Sequence, residues 1–214
     1  MAMQTKTGQL SPSLDKTVQR LISGFDQITS ERKEILRSLT EFIQNKVNAG
    51  DKVYLNFICT HNSRRSHLAQ LWAQAAAYYY SVPGVVAFSG GTEATAFNPK
   101  AVAAMQRVGF EIAVTKQGVN PVYEVHYSKN APPVIAFSKK YDDPFNDNKD
   151  FAAIMTCSHA DENCPFVPGA SARIALTYDD PKEFDGTPLE AKKYSERVDE
   201  IGREILWAFF QLKK

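Results

Sequence analysis

A thiol and a guanidinium lie close together in one short polar segment of the chain, which reads Cys59-Thr60-His61-Asn62-Ser63-Arg64-Arg65-Ser66. It directly follows the apolar run 53–58, so the sequence predicts a loop between the end of a buried strand and the start of a helix. Successive backbone N–H groups in such a loop, together with the positive end of the helix dipole, can bind a tetrahedral dianion. The Arg65 guanidinium can hold two of its oxygens at once. The same positive field favours the thiolate of Cys59, so the pattern predicts a nucleophile aimed at a bound oxyanion.

The residues that follow the cysteine are predicted to form the oxyanion-binding loop, with candidate positions Thr60, His61, Asn62, Ser63, Arg64, Arg65 and Ser66. Asn62 can hydrogen-bond within the loop and tolerates left-handed backbone angles. Ser66 can donate to the thiolate or cap the helix. A cysteine and an arginine also meet at this spacing by chance, so a buried, inert Cys59 beside a surface arginine remains the alternative interpretation.

A second group of candidate residues lies far downstream, where Cys157 and Cys164 flank His159. The chain has three cysteines, an odd number that argues against a structural disulfide framework, and no secretory signal or long apolar span is visible. The sequence therefore predicts a reducing, cytoplasmic location, where such a pair serves redox chemistry, binds zinc with His159, or is inert. The Cys-x6-Cys spacing is uncommon for zinc and a fourth ligand would have to come from elsewhere, so no metal site is predicted.

The first segment resembles the active-site loop of low-molecular-weight protein tyrosine phosphatases, which reads Cys-x-x-Asn-x-x-Arg-Ser and is matched by Cys59, Asn62, Arg65 and Ser66. The downstream cysteines make the chain most similar, within that superfamily, to thioredoxin-coupled arsenate reductases. The resemblance implies that Cys59 attacks arsenate, that Cys157 attacks Cys59 and releases arsenite, and that Cys164 resolves the disulfide for thioredoxin. Because the reduction takes two electrons, a pair of thiols must be oxidised in each turnover.

The segment Thr177–Pro181 follows a strand-like apolar run and ends in an Asp-Pro pair. The same resemblance implies that Asp180 is the general acid that protonates the leaving oxygen, with Pro181 stiffening its backbone. Asp179 is the weaker candidate for this role. Taken alone, the pair indicates an ordinary Asp-Pro turn.

Apolar, strand-like runs alternate with helix-like segments over residues 51–214, which is typical of an α/β fold with a parallel sheet covered on both faces. Strands are predicted at 53–58, 85–89, 151–157 and 173–176, and helices at 66–80, 98–108 and 189–212. The resemblance implies the low-molecular-weight phosphatase fold, an open and mostly four-stranded parallel sheet. Because ligands bind beyond the carboxyl ends of parallel strands, Cys59, Cys157 and Asp180 are expected at the same edge.

Two segments are predicted to lie outside the compact domain of the family. Residues 1–50 form an N-terminal extension of two amphipathic helices, which pack either on the outside of the domain or against a second subunit in a homodimer. Residues from about 117 to 150 form an insertion, whose strand-like runs at 122–127 and 134–138 predict a β-hairpin or a lid over the site.

Four residues depart from the pattern of the family. Arg64 occupies a position often filled by a small residue or cysteine, which adds positive charge near the mouth of the site. His61 stands where relatives usually have glycine, which predicts a strained or altered loop. Gln70 stands where some arsenate reductases carry a glutamate associated with potassium, so neither potassium nor another cofactor is expected. Lys182 stands where tyrosine phosphatases usually carry an aromatic residue, which favours the reductase over the phosphatase.

The net charge of +1 gives no indication of a nucleic acid or a membrane as a partner. The resemblance implies an arsenate reductase with a three-cysteine relay (Cys59, Cys157 and Cys164), which takes arsenate or a phosphate-type oxyanion as substrate and thioredoxin as electron donor. Two alternatives remain open. One is a low-molecular-weight phosphatase that hydrolyses phosphotyrosine or small phosphoesters through a phosphocysteine. The other is a non-enzymatic redox or oxyanion sensor.

Overall fold

Four parallel strands form the main sheet of the computed structural model, which describes residues 8–146, 149–163 and 166–213. In spatial order they are β2 (Val85–Gly91), β1 (Val53–Cys59), β6 (Phe151–Met155) and β7 (Ala170–Ala175). Each neighbouring pair is parallel, as expected for near-continuous apolar strands separated by helices. The prediction of a four-stranded parallel sheet in an α/β fold is confirmed.

The described residues contain six α-helices: α1 (Pro12–Ile22), α2 (Ser30–Ala49), α3 (Arg65–Tyr79), α4 (Pro99–Val108), α5 (Ser158–Asn163) and α6 (Glu190–Phe210). The four observed strands differ from their predicted bounds by one to three residues at an end, and two of the differences are informative. The strand expected at 151–157 ends at Met155, because the chain turns there into α5, and the strand expected at 173–176 begins at Ala170. None of the helices in the described part of the chain is long and apolar enough to span a membrane.

The two faces of the main sheet are covered by different parts of the chain. Leu55 and Phe57 of β1 lie in the larger hydrophobic core, which includes side chains of α1, α2, α3, α4 and α6. Ile58 of β1 and Met155 of β6 lie in a smaller core that is completed by Ala160 of α5. Because successive side chains of a strand point to opposite faces, β1 contributes to both cores.

The chain around the predicted insertion forms a second, antiparallel sheet of three strands: β3 (Glu111–Lys116), β4 (Val122–His126) and β5 (Val134–Ala136). The predicted hairpin corresponds to β4 and β5, which pair antiparallel. The sequence does not predict β3, which lies before the expected start of the insertion. Its side chains, Val114 among them, are exposed at almost every position, so it lacks the buried alternation by which a strand is recognised.

The two N-terminal helices pack onto α6, within the same hydrophobic core as the sheet. Their buried side chains are Leu14, Val18 and Leu21 in α1 and Leu36, Leu39 and Ile43 in α2. Thr29 caps α2 by accepting a hydrogen bond from the Arg32 N–H, and Gly50 ends the helix with a φ of 73°. Because the chain itself covers both apolar stripes, they need no second subunit, and the homodimer stays a prediction.

The helix that begins at the cysteine loop is docked by a close contact with α6. A Cβ atom at Gly202 of α6 would lie 2.5 Å from Trp72 Cε2 of α3 and 2.9 Å from Leu21 Cδ1 of α1. Both side chains are buried, so neither has room to move away. The lack of a side chain at Gly202 therefore sets how closely α3 approaches α6.

The substitution Gly202→Ala is expected to lower the free energy of unfolding by about 1–3 kcal/mol, because an added methyl group overpacks the core. This loss exceeds the gain of about 1 kcal/mol that alanine brings to a helix interior. Urea denaturation measures the difference. The control is Lys192→Ala at an exposed position of the same helix, where the change should stay below about 0.5 kcal/mol. A Gly202→Ala variant as stable as the parent would contradict the close packing.

Candidate active site

The loop after β1 turns through one residue in the left-handed region. Asn62 has a φ of 44°, whereas the backbone of His61 has no such angle. Asparagine is one of the few residues besides glycine that adopt this conformation readily, so the turn forms without a glycine. The strain expected at His61 is not found. Its carbonyl accepts hydrogen bonds from Thr95 Oγ1 at 3.0 Å and from Ser138 Oγ at 3.1 Å.

Cys59 lies at the base of this loop, with 4% of its surface exposed. Its Sγ is 3.1 Å from Ser66 Oγ. Because Asn62 Nδ2 donates to Ser66 Oγ at 2.9 Å, the hydroxyl hydrogen of Ser66 is free to point at the sulfur. The Cys59 sulfur therefore faces a hydroxyl donor and the N-terminus of α3, two groups that stabilise negative charge.

The insertion supports the loop from outside, which the sequence does not predict. The backbone N–H of Lys139 donates to Asn62 Oδ1 at 2.8 Å, and the Ser138 hydroxyl donates to the His61 carbonyl. Gly91 at the end of β2 lets the loop come close, because a Cβ atom there would lie 2.7 Å from Asn62 N. The contacts of Ser138 and Lys139 join residues that are 77 positions apart, so no local spacing could reveal them.

The Lys139 side chain places a positive charge in the protein interior behind the loop. Its Nζ lies 4.6 Å from the centroid of the Phe137 ring and 5.2 Å from that of Phe145. Burial lowers the pKa of Lys139 to about 8, although Asp143 opposes the shift. Burial, reinforced by the charge of Lys139, holds the pKa of His67 well below its usual range. At neutral pH the His67 imidazole is therefore uncharged and offers no acid to the site.

Two arginines of the loop meet one carboxylate at the mouth of the site. Arg65 Nη2 lies 2.7 Å from Asp180 Oδ2, and Arg64 Nε lies 2.8 Å from Asp180 Oδ1. Arg65 Nη1 also donates to the Tyr178 carbonyl at 2.8 Å. The side chain of Asp179, by contrast, is 93% exposed and lies toward α6. The structure thus brings Asp180, and not Asp179, beside the cysteine loop.

Asp180 is ionised in this arrangement. Burial would raise its pKa, but the charges of Arg65 and Arg64 outweigh burial and lower it. A cavity of about 10 Å³ remains between Cys59, Arg65 and Asp180, which is room for no more than about one water molecule. A tetrahedral oxyanion is larger than this space, so groups that line the cavity, which include Arg65 and Asp180, must move apart for one to bind.

The substitution Asp180→Asn is expected to lower the free energy of unfolding at pH 7 by about 1–3 kcal/mol, because two largely buried guanidinium groups lose a charged partner. Since the pKa of Asp180 is lower in the folded state, its stabilisation is complete above about pH 4 and is lost as the pH falls through the folded value. Denaturant unfolding at pH 7 and at successively lower pH measures the difference. Asp179→Asn is the matched control, with an expected change below about 0.5 kcal/mol. A difference that persisted unchanged in acid would contradict its ionic origin.

The second cysteine lies beside the loop, where β6 ends next to β1. Cys157 is 1% exposed; the Ala160 N–H donates to its Sγ at 3.4 Å, and Thr60 Oγ1 lies 3.5 Å away. Cys59 and Cys157 are both free thiols. Cys164, the third cysteine, lies outside the residues that the structure describes. Within residues 8–146, 149–163 and 166–213, no three His, Cys, Asp or Glu side chains gather where they could hold a metal ion.

Comparison with known proteins places the chain in a family. No model of a protein family matches it. An arsenate reductase from Halalkalibacterium halodurans is 30% identical over 156 residues, which cover 72% of this chain and 94% of that protein. An arsenate reductase from Bacillus subtilis is 31% identical over 150 residues, which cover 70% of this chain and 89% of that protein. The chain belongs to the arsenate reductase family.

As a member of the arsenate reductase family the chain is an enzyme, so the non-enzymatic sensor is set aside. Solved structures show a weaker likeness. A low-molecular-weight phosphotyrosine phosphatase from Vibrio cholerae O395 has a TM-score of 0.48 at 12% identity, covering 72% of this chain and 92% of that one. A thioredoxin-dependent arsenate reductase from Corynebacterium glutamicum has a TM-score of 0.41 at 17% identity, covering 92% of this chain and 96% of that one. Membership of the arsenate reductase family rests on the sequence relatives alone.

Proposed function

We propose that this protein reduces arsenate to arsenite, with Cys59 as the nucleophile and with Cys157 and Cys164 as the relay to thioredoxin. The observation that carries the proposal is the pair of buried thiols at one edge of the sheet. Cys59 ends β1, Cys157 follows the neighbouring strand β6, and Thr60 contacts the Cys157 sulfur at 3.5 Å. A phosphatase needs only the first thiol, whereas a two-electron reduction needs a second one nearby.

In the first step, arsenate enters the loop and replaces Asp180 as the partner of Arg65. The guanidinium and the N-terminus of α3 neutralise the charge of the dianion. Cys59 attacks arsenic as a thiolate, stabilised by the Ser66 hydroxyl at 3.1 Å from its sulfur. An oxygen of arsenate leaves as water, and a covalent bond joins the Cys59 sulfur to arsenic at its original oxidation state.

Asp180 is the proposed proton donor for that leaving oxygen. Its carboxylate is ionised while Arg65 and Arg64 hold its pKa down. When the dianion takes over Arg65, the carboxylate loses one of its two arginine partners and gains a negative neighbour, and both changes raise its pKa. Asp180 can then hold a proton and deliver it to the leaving oxygen. Binding of the substrate thus prepares the acid.

In the second step, the Cys157 thiolate attacks the Cys59 sulfur. A sulfur–sulfur bond forms as the sulfur–arsenic bond breaks, and the electron pair of the broken bond stays on arsenic, which leaves as arsenite. Two thiols are oxidised to a disulfide while arsenic gains two electrons, so the step balances. Cys164 then attacks Cys157 and frees Cys59, and thioredoxin reduces the disulfide between Cys157 and Cys164.

Formation of that second disulfide requires α5 to change shape. The helix spans the six residues Ser158–Asn163 between the two cysteines. In a continuous helix, Cα atoms seven positions apart are separated by about 10 Å, whereas the Cα atoms of a disulfide lie within about 7 Å. We therefore expect α5 to unwind at least in part during each turnover, which a single short helix can do at low cost.

A coupled assay tests the proposal. Arsenate-dependent oxidation of NADPH is measured with thioredoxin and thioredoxin reductase, beside hydrolysis of p-nitrophenyl phosphate by the same preparation. Repeated turnover of arsenate is the expected result, and a requirement for thioredoxin would also fit the predicted cytoplasmic location. Hydrolysis without turnover of arsenate would contradict the proposal and favour a phosphatase.

The phosphatase remains the second candidate because the first step does not involve Cys157. Cys59, Arg65 and Asp180 are the groups that hydrolysis through a phosphocysteine would use, and all three line the same small cavity. The second thiol distinguishes the two functions, because loss of Cys157 should stop arsenate reduction and leave phosphoester hydrolysis unchanged.

A further inference from the structure

We propose that His159 accepts the proton of Cys157 through the hydroxyl of Thr60, and so acts as a positioning residue for the second nucleophile. The inference rests on the proposed function, because only a reductase uses Cys157 to attack. The geometry behind it is a chain of three polar atoms: the Cys157 sulfur, the Thr60 hydroxyl oxygen and Nδ1 of His159.

The first link concerns a thiol that has almost no contact with solvent. Cys157 is 1% exposed, so its proton cannot pass directly to bulk water. Among the described residues, two polar groups reach its sulfur: the Ala160 N–H at 3.4 Å and Thr60 Oγ1 at 3.5 Å. The N–H is only a donor and stabilises the thiolate once it has formed. The hydroxyl can accept one proton and release another, so it offers a route out.

The second link reaches the surface. Thr60 Oγ1 lies 3.2 Å from His159 Nδ1, and His159 is exposed on α5, two residues after Cys157. Histidine is the side chain that most readily gains and loses a proton near neutral pH. Its position between the buried hydroxyl and solvent lets it take the proton from Thr60 and later return it to water.

Transfer along this route reverses both hydrogen bonds without moving a heavy atom. Before transfer, the Cys157 thiol donates to Thr60 Oγ1, whose hydroxyl donates to His159 Nδ1. Afterwards, Nδ1–H of the imidazolium donates to Thr60, whose hydroxyl donates to the thiolate. One proton leaves the sulfur and one arrives on the imidazole, so atoms and charge balance. The thiolate is then ready to attack the Cys59 sulfur.

Other ionisable groups lie on the elements next to the second thiol, and most of them already have a partner. They are Asp161 and Glu162 on α5, Arg173 on β7, Cys59 on β1, and Arg64, Arg65 and Asp180 at the mouth of the loop. Asp161 is bound to Arg173 at 2.7 Å, and both loop arginines are bound to the same carboxylate. Substitution of His159 leaves these pairs in place, so a change in the reactivity of the thiol reports on the imidazole.

The test measures alkylation of Cys157 by iodoacetamide as a function of pH. It uses the full chain with Cys59→Ser and Cys164→Ser, in which Cys157 is the sole remaining thiol. In that background, His159→Asn keeps a polar group near the place of Nδ1 but cannot take a proton. It is expected to lower the alkylation rate at pH 7 about tenfold, the effect of one pH unit in the thiolate fraction. The midpoint of the profile should move to higher pH, and the rates should converge in alkali.

A double-mutant cycle shows whether His159 acts through Thr60. Thr60→Val should reproduce the effect of His159→Asn, and the combined variant should be no slower than either, because both break one route. Thr60→Ser, which keeps the hydroxyl, should restore the parent profile, and His126→Asn at a half-buried position on β4 should not alter it. An unchanged profile in His159→Asn, or additive effects of the two substitutions, would overturn the proposal.

This test is independent of the proposed function, because iodoacetamide alkylation involves no arsenate. A shifted alkylation profile in a protein that fails to reduce arsenate would leave the proton route standing and refute the reductase. Arsenate turnover with an unshifted alkylation profile would support the reductase and refute the proton route.

Discussion

Replacement of Cys59 by serine is expected to abolish arsenate reduction and phosphoester hydrolysis together, each by roughly 10⁴-fold or more. Both reactions begin with attack of the same thiolate on a bound oxyanion. A serine at this position faces the hydroxyl of Ser66, which is not a base strong enough to activate it. Arsenate-dependent oxidation of NADPH and hydrolysis of p-nitrophenyl phosphate, measured side by side, check the result.

The oxyanion site itself should survive in Cys59→Ser. Asn62, Ser66 and Arg65 keep their positions, so calorimetry should still detect the binding of inorganic phosphate. Retained binding shows that the lost activity is a loss of chemistry and not of the fold. Hydrolysis by this variant at more than about a hundredth of the parent rate would indicate another nucleophile.

Cys157→Ser is expected to stop arsenate reduction while hydrolysis of p-nitrophenyl phosphate stays within about threefold of the parent rate. The arsenic adduct on Cys59 forms but meets no second thiol, so neither arsenite nor a disulfide is produced. Serine is smaller than cysteine and can keep the contacts with Thr60 and Ala160, so the site should remain folded. The coupled assay and the hydrolysis assay together measure the split.

Cys164→Ser separates the later steps of the relay. The disulfide between Cys59 and Cys157 can still form, so arsenite should be released once, in stoichiometric amount, before turnover stops. Quantification of arsenite and mass spectrometry of the disulfide detect this single release. An equal loss of hydrolysis in Cys157→Ser and Cys164→Ser would instead indicate that these cysteines are structural.

Elements with local determinants could be predicted from the sequence. The apolar run before Cys59 forms β1, and Asn98 followed by Pro99 begins α4, where Asn98 Oδ1 accepts a hydrogen bond from the Lys100 N–H at 2.9 Å. Ser11 and Pro12 likewise precede and begin α1. Each of these signals lies within a few residues of the structure it determines, because caps and periodic apolar faces act over one or two turns.

Elements that depend on distant partners could not be predicted in the same way. The exposed strand β3 exists because β4 pairs with it, and its own residues carry little apolar pattern. Ser138 and Lys139 hydrogen-bond to the cysteine loop because the insertion folds back against the main sheet. The strand predicted at 151–157 is two residues too long: Thr156 and Cys157 are buried like the strand, but they form the turn that leads into α5.

By itself, the sequence determined the α/β class and placed a thiol and a guanidinium in one loop, because both depend on residue types at short spacings. The role of Asp180 as an acid came instead from the resemblance to a family and remains a proposal. Only the tertiary structure decided that Arg64 joins Arg65 on Asp180 and that Thr60 connects Cys157 to His159. These contacts span 97 to 116 positions of the chain. They form because the order of parallel strands places β1, β6 and β7 side by side, and no spacing along the chain encodes a distance across a sheet.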